Sequence, residues 1–207
     1  MYVYKANIQF DGSIYKLKLR IVVRGDLQNK EMVGDTWSST ASMRTLKYFL
    51  SDADKHKARV HQLDFIGAFL KAKVSNRVFV KLDIRYTDYF PEYAQYFGRA
   101  LRFLKSVYGM THYGKFFADE FTEWLLEAGF IQSQCQMSIY YKYAPDGSKI
   151  VILYYVDYCV YSYTNEDLVK WFVDTLGKRV HVNFLWYAHW FMSIRISQLK
   201  DHSISAD

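Results

Sequence analysis

Residues 2–10 and 14–24 of the chain are rich in β-branched and aromatic residues, and in residues 16–21 cations alternate with apolar residues. A period of two puts neighbouring side chains on opposite faces of a strand, and the intervening Asp11-Gly12-Ser13 has the composition of a tight turn. The pattern therefore predicts a β-hairpin at the start of the sequence. One face of its second strand is apolar, and the other carries three cations, Lys16, Lys18 and Arg20.

Helical spacing of apolar residues occurs in three segments without proline: residues 40 to about 57, residues 111–128 and residues 165–177. Gly129 is suited to cap the second helix, and Thr164 or Asn165 the start of the third. Residues 26–39 are expected to form a long loop, and residues 83–98 a tyrosine-rich connection. The remaining apolar segments predict strands: Arg59–Leu63, Val78–Lys81, Tyr140–Tyr143, Lys149–Tyr155, Cys159–Tyr163, Val180–Asn183 and Trp190–Ile196.

Strands and helices are mixed in an order that predicts an α+β fold with an antiparallel sheet rather than a doubly wound parallel sheet. The sequence contains no Walker loop and no G-x-G-x-x-G motif, which disfavours the nucleotide-binding folds that depend on them. Its 207 residues are enough for one large domain or for two subdomains.

The composition is that of a folded, basic protein. Hydrophobic residues make up 51% and charged residues 23%, which excludes intrinsic disorder, collagen and coiled coil. Against 21 acidic residues there are 27 Lys and Arg, and the net charge of +6 favours a polyanionic partner.

Neither secretion nor membrane insertion is predicted. The first residues lack the apolar core of a signal peptide, and the longest apolar run, residues 150–161, is shorter than the roughly 18 residues of a membrane span. Cys135 and Cys159 form no disulfide framework. We therefore expect an intracellular protein, cytoplasmic or nuclear, without a membrane partner.

Two aspartates are placed at the ends of predicted strands. Asp64 follows the strand of residues 59–63, and Asp157 lies at the tip of the hairpin formed by residues 149–155 and 159–163. Either one alone can be an ordinary turn or helix-capping residue. Apolar residues flank both, however, and a carboxylate held in such surroundings needs a cation. Mg²⁺ is the hard cation that suits carboxylate oxygens.

Several motifs, in order, carry a resemblance to a known family. They are Lys18–Gly25, Asp64–Leu70, Lys105–Met110, Leu126–Phe130, Tyr155–Asp157 and Leu185–Ile196. Together they resemble the reverse transcriptase of copia-type long-terminal-repeat retrotransposons, and the likeness runs from about Val3 to Ile196. It thus extends over nearly the whole chain.

The resemblance implies an α+β polymerase fold, a single domain of fingers and palm over residues 1–207. The fingers would lie roughly at residues 1–58 and 72–112, and the palm, an antiparallel sheet packed on helices, roughly at 59–71 and 113–200. The implied activity is RNA- or DNA-templated DNA synthesis on a primer-template from deoxynucleoside triphosphates. Asp64 and Asp157 would be the catalytic pair and would hold two Mg²⁺ ions.

The resemblance also assigns residues to the incoming nucleotide: Arg20, Arg24, Phe65, Ile66, Phe69 and His112. Arg20 and Arg24 would grip the triphosphate, unless they belong to a solvated strand face. Phe65 and Ile66 would contribute backbone groups. Phe69 would be the aromatic gate against a 2′-hydroxyl, or else an ordinary core residue.

The sequence departs from the family pattern at the second aspartate of the palm hairpin, where it has Tyr158. A neutral phenol with a pKa of about 10 cannot replace a carboxylate as a Mg²⁺ ligand, so the second ion should be held weakly and the polymerase impaired. Further departures are His112 for glutamine, Gly114 for proline, and Trp186 and Ser193 for glycine.

The leading hypothesis is therefore an impaired, degenerate reverse transcriptase domain of a retrotransposon polyprotein. The alternative is a catalytically inactive nucleic-acid-binding remnant with the same core. A nucleotide cyclase of palm type is a third hypothesis, but its Gly-Gly-Asp hairpin is missing. The chain also lacks integrase and ribonuclease H regions, so we expect it to be a fragment or a truncated copy.

Overall fold

A computed structural model gives the fold of the chain and describes residues 2–9, 11–28, 38–67, 74, 78–81, 84–111 and 113–207. The chain divides into two compact units. The first comprises Met1–Trp37 and Phe69–Phe117, and the second comprises Ser38–Ala68 and Ala118–Asp207.

The first unit opens with the hairpin that the alternating pattern predicts. Strand β1 (Tyr2–Ile8) pairs antiparallel with β2 (Ile14–Ile21). Asp11 accepts hydrogen bonds from the backbone and the hydroxyl of Ser13 at 2.9 and 2.6 Å, and Gly12 has a φ of +84°. The predicted turn chemistry is therefore confirmed.

The rest of the first unit consists of short elements. Strand β4 (Phe79–Lys81) pairs with β5 (Ala100–Arg102). The tyrosine-rich connection predicted for residues 83–98 contains a short helix, α2 (Ile84–Tyr89), and a 3₁₀ helix, Pro91–Tyr96. A second 3₁₀ turn, Gly25–Leu27, follows β2. The start of helix α3 (Tyr113–Glu127) also belongs to this unit.

The second unit is built on one antiparallel sheet of six strands: β3 (Arg59–Phe65), β6 (Ile131–Gln132), β7 (Ile139–Tyr143), β8 (Lys149–Tyr155), β9 (Tyr158–Tyr163) and β10 (Val182–Leu185). Their order in the sheet is β10-β3-β9-β8-β7-β6. Every strand pair in the described part of the chain is antiparallel. The mixed fold with antiparallel sheets that the element pattern predicts is thus confirmed.

Helices pack on both faces of this sheet. Helix α1 (Met43–Lys55) buries Leu46, Phe49 and Leu50 against one face, which includes Val60 and Val160. The other face is covered by α3 and by α4 (Glu166–Arg179).

Helices α1, α3 and α4 have capping residues, of which Asn165 and Gly129 were predicted and Ser42 was not. The Ser42 and Asn165 side chains accept hydrogen bonds from the backbone amides of Thr45 and Leu168, which satisfies amides that have no partner within the helices. Gly129, with a φ of +81°, follows the end of α3.

The segment Trp190–Ile196 was predicted as one strand, and this prediction is wrong. It forms two short strands, β11 (Trp190–Phe191) and the first part of β12 (Ile194–Gln198), separated by Met192 and Ser193. Both intervening residues have positive φ, which reverses the chain. Strand β13 (Ile204–Ala206) pairs with β12 and completes a small sheet.

No helix among the described residues is both long enough and apolar enough to span a membrane.

Candidate active site

Asp64 is the penultimate residue of β3, a strand whose apolar residues are buried on both sides of the sheet. Val60 and Leu63 are fully buried and Phe65 nearly so, which fixes the strand between β10 and β9. The strand predicted from the sequence ends at Leu63, but pairing continues through Phe65. Asp64 therefore lies within the sheet, half-buried, near the end of a central strand.

Asp157 occupies the two-residue turn that joins β8 and β9. Tyr155 and Tyr158, which flank this turn, form the last pair of the β8–β9 ladder. Most of the other residues of both strands are buried. Val156, the first residue of the turn, has a φ of +55°. A β-branched residue is rare in this conformation and costs on the order of 1–3 kcal/mol, so the flanking ladder must hold the turn in place.

The sheet register brings the two aspartates together. Asp64 is directly opposite Tyr158, the residue after Asp157. The backbone amide of Phe65, the residue after Asp64, donates a hydrogen bond of 3.1 Å to the carbonyl oxygen of Asp157. The two aspartates are thus diagonal neighbours on adjacent strands, and both are half-buried.

Tyr158 lies beside both carboxylates and is 40% exposed. Burial raises the pKa of its phenol above the ordinary value, and the negative charges of Asp157 and Asp64 raise it further. The phenol is therefore neutral at physiological pH. Among the described residues, no group of three or more His, Cys, Asp or Glu is arranged to hold a metal ion.

Phe65 and Ile66 directly follow Asp64, and their predicted role is to contribute backbone groups to the nucleotide site. The Phe65 amide is bonded to Asp157, and the Ile66 amide donates to the carbonyl oxygen of His181 at 2.9 Å. The Phe65 ring packs edge-on against Phe121 at 5.0 Å, whereas the Ile66 side chain is exposed. Both backbone amides therefore have partners inside the sheet.

Arg20 and Arg24 belong to the first unit. The Arg20 guanidinium lies over the Tyr108 ring at 5.3 Å, and Arg24 forms a two-pronged ion pair with Asp26 at 2.6 and 2.8 Å. Both arginines are exposed. The remaining predicted nucleotide contacts, Phe69 and His112, lie outside the described residues.

Asn183 is a residue to which the sequence analysis gave no role. It lies on β10, directly opposite Asp64 and on the other side of it from Tyr158. Nothing in the sequence indicates this position, because it depends on β10 pairing with β3 across more than 100 intervening residues.

Comparisons with known proteins support the motif-based resemblance. The family model described as reverse transcriptase (RNA-dependent DNA polymerase) matches residues 1–204. The chain is 24% identical over 200 residues to the retrovirus-related Pol polyprotein from transposon RE2 of Arabidopsis thaliana. It is 23% identical over 201 residues to the corresponding polyprotein from transposon RE1 of the same plant.

Each of these alignments covers 96% of this chain but only 13% of the relative, so the chain spans a small part of the polyproteins that it matches. No solved structure matches the chain. The matches confirm the family that the sequence motifs indicate.

Proposed function

Because the chain belongs to the reverse transcriptase (RNA-dependent DNA polymerase) family, we propose that it is the fingers-and-palm core of a nucleic-acid-templated DNA polymerase with an impaired catalytic centre. The observation that carries the proposal is the register that makes Asp64 and Asp157 diagonal neighbours at one end of a sheet.

The two compact units support a division into fingers and palm. We assign the first unit, which contains the basic hairpin, to the fingers, and the second unit, with its antiparallel sheet and helices on both faces, to the palm. The boundaries expected from the sequence, fingers at roughly 1–58 and 72–112 and palm at roughly 59–71 and 113–200, remain a prediction. The units divide the chain differently at residues 38–58, which belong to the second unit, and at residues 69–71 and 113–117, which belong to the first.

The donor set at the centre fits Mg²⁺ in chemical type, since Asp64 and Asp157 offer hard carboxylate oxygens. When bound, the metal would lower the pKa of the primer hydroxyl and neutralise charge on the triphosphate. The chain's own contribution is to hold the two carboxylates at fixed positions. The Phe65–Asp157 backbone hydrogen bond and the β3–β9 ladder supply that rigidity.

Tyr158 is the reason to expect impairment. It stands where the family has a further aspartate, and it presents a neutral phenol to two carboxylates. The third carboxylate is therefore replaced by a neutral phenol, which does not balance the positive charge of a second metal ion. Metal binding should be weakened, and the barrier to the chemical step raised.

The experiment is magnesium-dependent primer extension by the whole chain, with Tyr158→Asp and Tyr158→Ala in parallel. We expect Tyr158→Asp to raise the rate by one to several orders of magnitude, each tenfold corresponding to about 1.4 kcal/mol of barrier. Rescue by Ala as large as rescue by Asp would mean that the bulk of the ring, and not the missing charge, is the defect. Asp157→Asn in either background should abolish extension, and extension that survives it would exclude the two-carboxylate centre.

A second candidate function is an inactive nucleic-acid-binding remnant, and Tyr158 together with the basic face of the β1–β2 hairpin favours it. This protein would bind primer-template in every variant but extend the primer in none. Binding without extension in Tyr158→Asp would therefore select this alternative.

A further inference from the structure

Three adjacent strands place polar side chains on one face of the palm sheet. Asn183 on β10 is directly opposite Asp64 on β3, and Asp64 is directly opposite Tyr158 on β9. Residues directly opposite each other in an antiparallel sheet share a face, with Cβ atoms about 4.5–5.5 Å apart. Asn183, Asp64 and Tyr158 therefore form a row across the sheet.

The hydrogen bonds next to this row show how close its members approach. The Phe65 amide bonds to Asp157 on the β9 side, and the Ile66 amide bonds to His181 on the β10 side. Because such bonds alternate along a strand, Asp64 and Tyr158 form a non-hydrogen-bonded pair, whose side chains approach most closely. Asp64 and Asn183 form a hydrogen-bonded pair, with Cα atoms about 5.5 Å apart.

Asn183 is accessible and has suitable chemistry. It is exposed, and β10 is an edge strand of its sheet within the described part of the chain, so no further described strand covers its outer side. A carboxamide oxygen is a hard, neutral ligand of the kind found in calcium and magnesium sites. A neutral phenol such as that of Tyr158, on the opposite side of Asp64, is not among the oxygen ligands that these cations favour.

We propose that Asn183 is an additional oxygen donor for a divalent cation held by Asp64 and Asp157, on the β10 side of Asp64. The inference rests on the proposed function, since it presupposes the carboxylate pair as a metal centre. It adds a residue that partly compensates for the carboxylate missing at position 158.

The test is Mn²⁺ binding to the whole chain, measured by electron paramagnetic resonance and by calorimetry without nucleic acid. Mn²⁺ is the probe because it prefers the same oxygen ligands as Mg²⁺. We expect Asn183→Ala to weaken binding by roughly tenfold, and Asn183→Asp, which adds a charge in the same position, to strengthen it by roughly tenfold. Asn7→Ala is the matched control, an asparagine on a strand of the first unit, and should leave binding unchanged.

The outcomes separate this inference from the proposed function. Loss of binding in Asp64→Asn and Asp157→Asn, with no change in Asn183→Ala or Asn183→Asp, would overturn the role of Asn183 and leave the metal centre standing. Binding that is indifferent to all four substitutions would overturn both. If the natural sequence binds no Mn²⁺ but Tyr158→Asp does, Asn183 does not compensate, and only the proposed function survives. Circular dichroism of each variant without metal checks that it is folded.

Discussion

His61 is enclosed by aromatic rings on the face of the six-stranded sheet that is opposite to Asp64. Four rings meet the imidazole edge-on, with centroids 5.2–6.2 Å away: Tyr161, Tyr163, Trp186 and Tyr187. Burial, together with the positive charge of Arg59, lowers the pKa of His61 to about 4. The fold therefore holds this histidine in its neutral form.

A neutral buried histidine makes the protein sensitive to acid. The unfolded chain binds the His61 proton at a pH of about 6.5, but the folded chain does so only near pH 4. Stability from this group is therefore complete above pH 6.5 and is lost as the pH falls toward 4. We expect the free energy of unfolding to lose about 2–3 kcal/mol from this residue between pH 7 and pH 4.5.

Urea denaturation at both pH values, for the natural sequence and for His61→Phe, measures this contribution. His61→Phe should retain that part of the stability at pH 4.5, whereas the natural sequence should lose it. An equal loss in the His61→Phe variant would show that other groups cause the acid sensitivity.

At the residue scale, the sequence motifs single out two aspartates, and their catalytic role stays a prediction. Asp64 and Asp157 each close a recognisable apolar segment, and the structure places them next to each other. Asn183 and the rings around His61 could not be predicted, because their neighbours come from strands and loops distant in sequence. The pairing register of the strands determines which residues surround Asn183 and His61, and no local sequence pattern encodes that register.

Among the elements, the first unit depends on a close crossing of two backbone segments. The Val23 amide donates to the Tyr108 carbonyl oxygen at 2.9 Å, and Thr111 donates through its hydroxyl to the Gly25 carbonyl oxygen at 3.1 Å. A Cβ on Gly109 would overlap the Val23 carbonyl oxygen, and Gly109 also has a φ of +87°. Only glycine permits this approach.

Gly109→Ala should therefore lower the free energy of unfolding by more than about 2 kcal/mol, because the backbone must move apart as well as tolerate a positive φ. Gly98→Ala is the matched control, since Gly98 has a φ of +75° but open space around it. Its loss should be about 1 kcal/mol, the cost of the left-handed conformation alone. Thermal denaturation compares the two variants. Equal losses of stability would contradict a close backbone contact at Gly109.

The elements that were predicted correctly have strong local signals. The first hairpin has alternation and a turn triplet, and α1, α3 and α4 have helical spacing with suitable caps. The errors fall where those signals are weak. Residues 190–196 contain neither glycine nor proline, yet Met192 and Ser193 adopt positive φ and reverse the chain. Strands β5 and β6, with three and two residues, are too short to show any period.

For the molecule as a whole, part of the excess positive charge is concentrated on one face of the β1–β2 hairpin. Lys5 is directly opposite Lys18, and Asn7 is opposite Lys16, so β1 adds a fourth cation to the face predicted from β2. Like charges in opposite positions repel and destabilise a hairpin. A polyanion bound to this face would remove that repulsion. Together with the net charge of +6, this favours nucleic acid as the ligand of the hairpin.

We therefore expect binding to a primer-template duplex to weaken steeply with salt, because each neutralised phosphate releases a counterion. Replacing Lys5, Lys16 and Lys18 by glutamine should reduce the slope of log affinity against log salt by about 2–3 and leave the Arg20–Tyr108 contact in place. Fluorescence anisotropy between low and physiological salt measures the slope.

A control with the same change in net charge separates the hairpin face from total charge. Lys170, Lys178 and Lys200 are exposed residues of the second unit, and replacing them by glutamine also lowers the net charge from +6 to +3. If the hairpin face contacts phosphates, this control should retain most of the slope of log affinity against log salt. Charges that do not contact the nucleic acid act only through a screened field with a range of about 8–10 Å. Equal slopes in the two triple variants would mean that binding depends on total charge, and an affinity independent of salt would exclude a phosphate-contacting face altogether.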